Sequence, residues 1–146
     1  MIIINIANQT LTYQDSVYSI SSAANGVGEI EGSFCTPLGR FKIAEKIGAD
    51  LDLGAVLVGR VPTGEIYSKP LLNQQPDRDW ILSRILWLDG VEVHNKNTKQ
   101  RYIYIHGSPD EFLLGVASSK GCIRMKNSDI IQLFNQVKTG EEVVIQ

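Results

Sequence analysis

Residues 101–127 read RYIYIHGSPDEFLLGVASSKGCIRMKN and hold one of the two histidines and one of the two cysteines of a 146-residue chain. Tyr102 and Tyr104 alternate with Ile103 and Ile105, the period of a strand with two different faces. This predicts a strand over 101–105 that ends by presenting His106, with Gly107 turning the chain behind it. Ser108-Pro109-Asp110-Glu111 has the order of an N-cap, a proline at the first helical position and acids in the first turn, so one short helical turn is expected, stopped by Gly115. Cys122 follows His106 by sixteen positions and lies between Gly121 and Ile123. No local turn or helix makes that contact, so only the fold can bring thiol and imidazole together.

Upstream, residues 2–6 (IIINI), 11–13 (LTY) and 17–21 (VYSIS) are short, rich in β-branched and aromatic side chains and separated by polar pairs, which predicts a strand meander. Gly26, Gly28 and Gly32 mark a loop, and no helical pattern follows them, which removes a dinucleotide-binding reading. In CTPLGRFKI, residues 35–43, Pro37 and Gly39 shape a turn that feeds a strand with one wet face. Another strand is expected over 55–61. Residues 62–80 are dominated by Gly, Pro, Asn, Gln and Asp, which marks either a lid over a site or an inert surface excursion.

Residues 81–88 and 91–94 read as strands around an Asp89-Gly90 hairpin turn. A helix is expected over 128–138, because Ile130, Ile131, Leu133, Phe134 and Val137 recur at helical spacing, with Asp129 at its start and Lys138 and Gly140 at its end. A last strand covers 142–145. The expected architecture is one domain over 1–146, mostly β, sandwich-like or barrel-like, with one principal C-terminal helix and short helical turns.

Hydrophobic residues at 43% and charged residues at 21% are ordinary for a globular chain. No apolar run approaches the roughly 18 residues of a spanning helix, so no membrane partner is expected. A net charge of −2 leaves no footprint for nucleic acid. The histidines and cysteines show no metal-site spacing, and neither a metal nor another cofactor is expected. MIIINIANQT lacks the basic start of a signal peptide, so the expected location is the cytoplasm, or the periplasm if a leader has been removed. Cys35 and Cys122 are then read as reduced thiols.

A cysteine attacks as its thiolate and needs partial exposure with a positive or proton-accepting neighbour. Cys122 has Gly121 beside it, Lys120 and Arg124 on either side, and His106 as the one base that position suggests. The second imidazole nitrogen needs an acceptor, which could be the Gly107 carbonyl or the Ser108 hydroxyl. The plainer reading is that Cys122 and His106 are packing residues, Lys120 and Arg124 solvated charges, and Ser118 and Ser119 loop residues. Composition alone favours it. Cys35 and His94 read as structural.

Three linked motifs overturn that balance. Thr36-Pro37-Leu38-Gly39-Arg40-Phe41, then His106-Gly107, then Ser119-Lys120-Gly121-Cys122-Ile123-Arg124 follow one another as in the L,D-transpeptidase catalytic domain of the YkuD or ErfK type, which nearly the whole chain resembles. The resemblance implies that Cys122 is the acyl-accepting nucleophile, His106 its base and the Gly107 carbonyl the orienter of the imidazole. It also implies an oxyanion hole of backbone N–H groups around Gly121 and Cys122, a substrate site that includes Ser119 and Lys120, and Arg124 as the holder of a substrate carboxylate. The family often has histidine where this chain has Lys120, whose ammonium either lowers the Cys122 pKa or points to solvent.

The family attacks a peptidoglycan stem tetrapeptide between its third-position diamino acid and D-Ala, and carbapenem-type inhibitors acylate the same cysteine. Arg101, Lys120, Arg124 and Lys126 outnumber Asp110 and Glu111 in 101–127, which suits a substrate rich in carboxylates. With a cytoplasmic location expected, the first reading is an L,D-carboxypeptidase that hydrolyses recycled tetrapeptide. The second is an exported transpeptidase forming 3-3 cross-links or exchanging D-amino acids. The third is a non-catalytic peptidoglycan-binding or thiol-sensing domain.

Overall fold

β1 (Ile2–Asn5), β2 (Thr10–Tyr13) and β3 (Ser16–Ser21) form the expected antiparallel meander, with Ile2 opposite Tyr13, Ile4 opposite Leu11 and Leu11 opposite Tyr18. This register gathers every second side chain on one face, and Ile2, Ile4, Leu11, Tyr13, Tyr18 and Ile20 are all buried there. The computed structural model describes residues 1–109 and 111–146. Asp110, expected in a helical first turn, lies outside the described residues.

The remaining elements are β4 (Gly39–Ile47), β5 (Ala55–Val58), β6 (Val61–Ile66), α1 (Lys69–Gln74), β7 (Ile81–Gly90), β8 (Tyr104–Ser108), β9 (Ile123–Lys126), α2 (Asn127–Gln136) and β10 (Glu142–Ile145). The sheet runs β4-β10-β1-β2-β3-β9-β8-β7-β5-β6, and β4 also pairs with β7. That extra pairing closes eight strands into a barrel and leaves the β5–β6 hairpin on the first residues of β7, where Val56 meets Leu82. Closure removes the sheet edges that would otherwise offer unpaired N–H and C=O groups. The main core lies inside, where Phe41, Ile43, Leu86, Leu88, Ile105, Ile123 and Met125 meet Ile130, Leu133 and Phe134 of α2. Each fully buried aliphatic side chain contributes about 1.5–3 kcal/mol.

The architecture agrees with the expected mostly β barrel with one principal helix, and several local expectations are corrected. Asp89-Gly90 is no hairpin turn: it ends β7, and residues expected as a strand over 91–94 enter a short 3₁₀ turn, Val93–Asn95. The fully buried Asn95 explains this, because its amide donates to the Leu38 and Arg40 carbonyls at 3.2 and 3.0 Å and its oxygen accepts the Glu92 N–H at 3.0 Å. The strand expected over 101–105 begins only at Tyr104, since Tyr102 takes a left-handed φ of +57°, and His106 therefore sits inside β8 rather than at its end. The expected helical turn starts later, at Glu111–Leu113, because Ser108 extends β8.

The strand expected over 55–61 is divided by a turn at Gly59 and Arg60. Residues 62–80 are largely structured as β6 and α1, and the buried Trp80 packs with Val56, Leu82 and Tyr67. The principal helix ends two residues early. Its last carbonyls are taken by the Lys46 ammonium of β4, 2.7 Å from the oxygens of Phe134 and Val137, rather than by Lys138.

Asn95→Ala should lower stability by roughly 1–3 kcal/mol, because it removes three side-chain hydrogen bonds from a fully buried position, although His94 and the Val91 N–H still reach the Leu38 and Arg40 carbonyls. Urea unfolding should show a lower midpoint at an unchanged slope.

Candidate active site

The site is built on two neighbouring parallel strands of opposite pattern. Ile105 of β8 pairs with Ile123 of β9, and His106 with Arg124. Ile103, Ile105, Ile123 and Met125 point into the main core, so the alternate residues Tyr104, His106, Cys122 and Arg124 lie on the opposite face. All four line one cleft of 410 Å³. The fold thus brings His106 and Cys122 to a common space.

Gly107 is required for packing rather than for a turn. A Cβ there would collide with Asn127 Oδ1 and would lie 2.6 Å from the Leu82 carbonyl. The Gly107 carbonyl sits 2.7 Å from His106 Nδ1. A carbonyl only accepts, so Nδ1 carries the proton and Nε2 is left as a base. The Ser108 carbonyl accepts from Asn127 Nδ2 at 3.3 Å.

The loop before Cys122 is braced from three sides. Ser119 Oγ accepts the Gly121 N–H at 3.1 Å and donates to the Cys122 carbonyl at 2.5 Å. Thr36 of the TPLGRF motif, fully buried, donates from Oγ1 to the Gly121 carbonyl at 2.9 Å and accepts the Ala23 N–H at 3.0 Å. Arg101 donates to the carbonyls of Gly28 and Cys35 at 3.0 and 2.8 Å, fixing the strap on which Thr36 sits. Gly121 itself has φ +130°, which a side chain rarely adopts. The Gly121 N–H, expected in an oxyanion hole, is committed to Ser119 Oγ, and Ser119 acts on the loop backbone from a buried position.

Cys122 Sγ accepts the Tyr104 N–H at 3.4 Å and donates to the Tyr102 carbonyl at 3.3 Å. Among the described residues no hydrogen bond joins it to the His106 ring. The sulfur packs against Leu57, Ile85 and Tyr104, and burial pushes its pKa up to about 12. The Tyr104 N–H and the Arg124 charge pull it down, and Asp79 adds to the rise. Burial likewise holds His106 below the ordinary histidine value, opposed by its Gly107 hydrogen bond. The resting pair is therefore a neutral thiol and a neutral imidazole.

Arg124 is already engaged, 3.5 Å from Asp79 in an ion pair and 3.5 Å from the Ser118 carbonyl. Lys120 is exposed at the cleft rim and is not among the charges that set the Cys122 pKa. Asp79, Arg60 and Tyr104 are among the other residues that line the cleft, and the sequence reading missed them as site residues. Gly59 interrupting an apolar run was the available sign of a turn at Arg60; nothing local marks Asp79. Cys35 and His94 hold backbone carbonyls at the edge of the TPLGRF turn, as structural residues do. Cys35 and Cys122 are both free thiols.

The profile of the L,D-transpeptidase catalytic domain family, YkuD, matches residues 1–145. The chain belongs to this family. It is 36% identical over 94 residues to L,D-transpeptidase YkuD of Bacillus subtilis, covering 62% of this chain and 50% of that protein. It is 44% identical over 45 residues to L,D-transpeptidase ErfK/SrfK of Salmonella typhimurium, covering 31% of this chain and 15% of that protein. The matched stretch thus spans half or less of these relatives' own length.

Among solved structures, an L,D-transpeptidase from Xylanimonas cellulosilytica aligns with TM-score 0.62 at 16% identity, over 99% of this chain and 59% of that one. L,D-transpeptidase 3 from Mycobacterium tuberculosis, in complex with a faropenem-derived adduct, aligns with TM-score 0.60 at 17% identity, over 99% of this chain and 59% of that one. At such identities the likeness shows a shared fold. It is an L,D-transpeptidase-family domain with a cysteine in its cleft.

In a Cys35→Ser background, alkylation of Cys122 by iodoacetamide should climb steadily with pH from about 7 to 10, with no plateau near the ordinary cysteine pKa of about 8.5. Asp79→Asn removes a charge that raises the Cys122 pKa and should speed alkylation roughly two- to tenfold at fixed pH; Arg124→Gln should slow it.

Proposed function

We propose that this domain carries out cysteine-dependent acyl transfer on peptidoglycan stem tetrapeptides, cleaving the bond between the third-position diamino acid and D-Ala with water as the acceptor. The observation that carries the reading is the shared cleft of Cys122 and His106, ringed by Arg60, Arg101, Lys120 and Arg124. A nucleophile and a base meet there beneath cations suited to a carboxylate-rich peptide.

Because thiol and imidazole both start neutral, proton transfer accompanies attack. Rotation about Cα–Cβ turns the S–H from the Tyr102 carbonyl towards His106 Nε2. Nε2 takes the proton as Sγ bonds to the carbonyl carbon, and the Cys122 N–H receives the oxyanion. Collapse breaks the C–N bond, and the imidazolium gives its proton to the departing D-Ala amine. Water then attacks the thioester with His106 again as base, releasing tripeptide and the Cys122 thiol.

In this reading the 410 Å³ cleft holds the reacting end of the donor, and water reaches the acyl-enzyme once D-Ala has left. An adjoining cavity of 210 Å³ behind Phe34 favours the second reading, an amine acceptor in cross-linking or D-amino acid exchange. The reading extends to a cytoplasmic setting with recycled muropeptide as the substrate, the compartment in which a thiol such as Cys35 is kept reduced.

Disaccharide tetrapeptide incubated with wild type should yield tripeptide without added amine, and Cys122→Ala should yield none. Product that forms only with a D-amino acid moves the assignment to transpeptidase. Neither turnover nor a covalent carbapenem adduct leaves the non-catalytic binding or thiol-sensing reading. Since His106 must be neutral and its pKa is depressed, the acid limb of kcat/KM should fall below about pH 6.5. Cell fractionation with an antibody checks the compartment.

A further inference from the structure

Gly59 and Arg60 form the two-residue turn of the β5–β6 hairpin, closed by the pairing of Val58 with Val61. Both take left-handed φ, +55° and +66°, the geometry of a type I′ turn. Glycine and asparagine are the residues that turn favours, so an arginine at its second position is strained. Strain of this kind persists where the surroundings hold it, and it gathers at binding sites.

The surroundings do hold it. The Arg60 guanidinium carbon lies 4.5 Å from the Trp87 ring centroid and 5.1 Å from that of Tyr102. Nη1 donates to the Tyr104 hydroxyl at 3.0 Å. Lys99 covers Trp87 as well, 4.8 Å from its centroid, and so keeps the indole in place. Tyr104 is the residue whose N–H reaches Cys122 Sγ. The turn thus delivers a planar cation to the cleft wall with its orientation already set.

What separates Arg60 from the other cleft arginines is its partners. Arg124 is paired with Asp79, and Arg101 is bound to two backbone carbonyls. Among the described residues Arg60 meets neither a carboxylate nor a carbonyl. Glu45 is felt only through space and lies 4.0 Å from Lys99 instead. A guanidinium stacked on aromatic faces still offers its edge, where paired N–H groups match the two oxygens of a carboxylate.

We propose that Arg60 is a further substrate-binding residue of this site, receiving a carboxylate of the acyl-donor peptide. Two carboxylates have that chemistry: the C-terminal group of the leaving D-Ala and the side-chain group of the third-position diamino acid. The inference rests on the stem-peptide reading above but not on the identity of the acceptor.

Calorimetric titration of stem tetrapeptide into Cys122→Ala, with and without Arg60→Met, tests it independently of turnover. The peptide is used as free acid, as the C-terminal amide and as the third-residue side-chain amide. Arg60→Met should weaken free-acid binding roughly 10- to 100-fold, and one of the two amides should bind both proteins equally weakly, naming the carboxylate. In the active background, KM for the free acid should rise by a like factor with kcat changed less than about threefold, and Arg60→Lys should recover only part.

Equal weakening for all three peptides would mean that Arg60 merely pins the hairpin, and no weakening would dismiss it altogether. An unchanged melting temperature excludes misfolding as the cause. If tetrapeptide binds in an Arg60-dependent way but is never cleaved, the proposed reaction fails and this inference stands. If Cys122→Ala binds none of the peptides, both fail.

Discussion

The site depends on the parallel pairing of β8 with β9. Parallel neighbours cannot be joined by a tight turn, so the chain must cross back from the end of β8 to the side of the barrel where β8 began before β9 can start. Residues 111–122 complete that return, and the sixteen-position separation of His106 and Cys122 is its consequence. The register then sets which side chains meet. With Ile105 beside Ile123, both strands send their apolar residues into the core, and imidazole, thiol and the Arg124 guanidinium are left together on the other face. A slip of one residue in either strand would bury the chemistry and expose the core.

Loop conformation is the second requirement, and it is met by hydrogen bonds to backbone rather than by contacts with the sulfur. Thr36 and Ser119 hold the carbonyl and N–H of Gly121, and Arg101 holds the strap that carries Thr36. This gives the TPLGRF motif its physical meaning: its threonine is a brace for the nucleophile's loop, and its Gly39, at φ +111°, passes so close to Glu92, His94 and Asn95 that a side chain would not fit. The long β7 closes the barrel against β4 and supplies Ser83, whose hydroxyl donates to Asn127 beneath β8 at 2.7 Å.

Burial decides the electrostatics. The thiol faces Leu57, Ile85 and Tyr104, and the imidazole is almost wholly enclosed, so the charged form of each is disfavoured. Asp79 and Arg124 lie within reach of both groups and act in opposite senses, which makes their ion pair a balance on the reactivity of the cleft. The segment carrying Asp79 is anchored by Trp80 in a small cluster of its own, so the balance is built into the fold rather than left to a loose loop.

By itself the sequence determined the meander of 2–21, the terminal helix and strand and the mostly β class, and it singled out His106 and Cys122, because each rests on a short-range pattern or on a motif within a few positions. Tyr102-Ile103-Tyr104-Ile105 could show that one face differs from the other. It could not show that Tyr102 would leave the strand, or that His106 would lie inside it. The Asp89-Gly90 dipeptide has hairpin chemistry, yet Asn95, buried against the 38–40 turn, settles a different course. Lys46 capping α2, Asp79 pairing with Arg124, and Arg60 stacking on Trp87 join residues far apart in the chain, and no local propensity encodes such pairs. Only the closed barrel decided them, since closure determines which distant segments share a face and which charges lose their water.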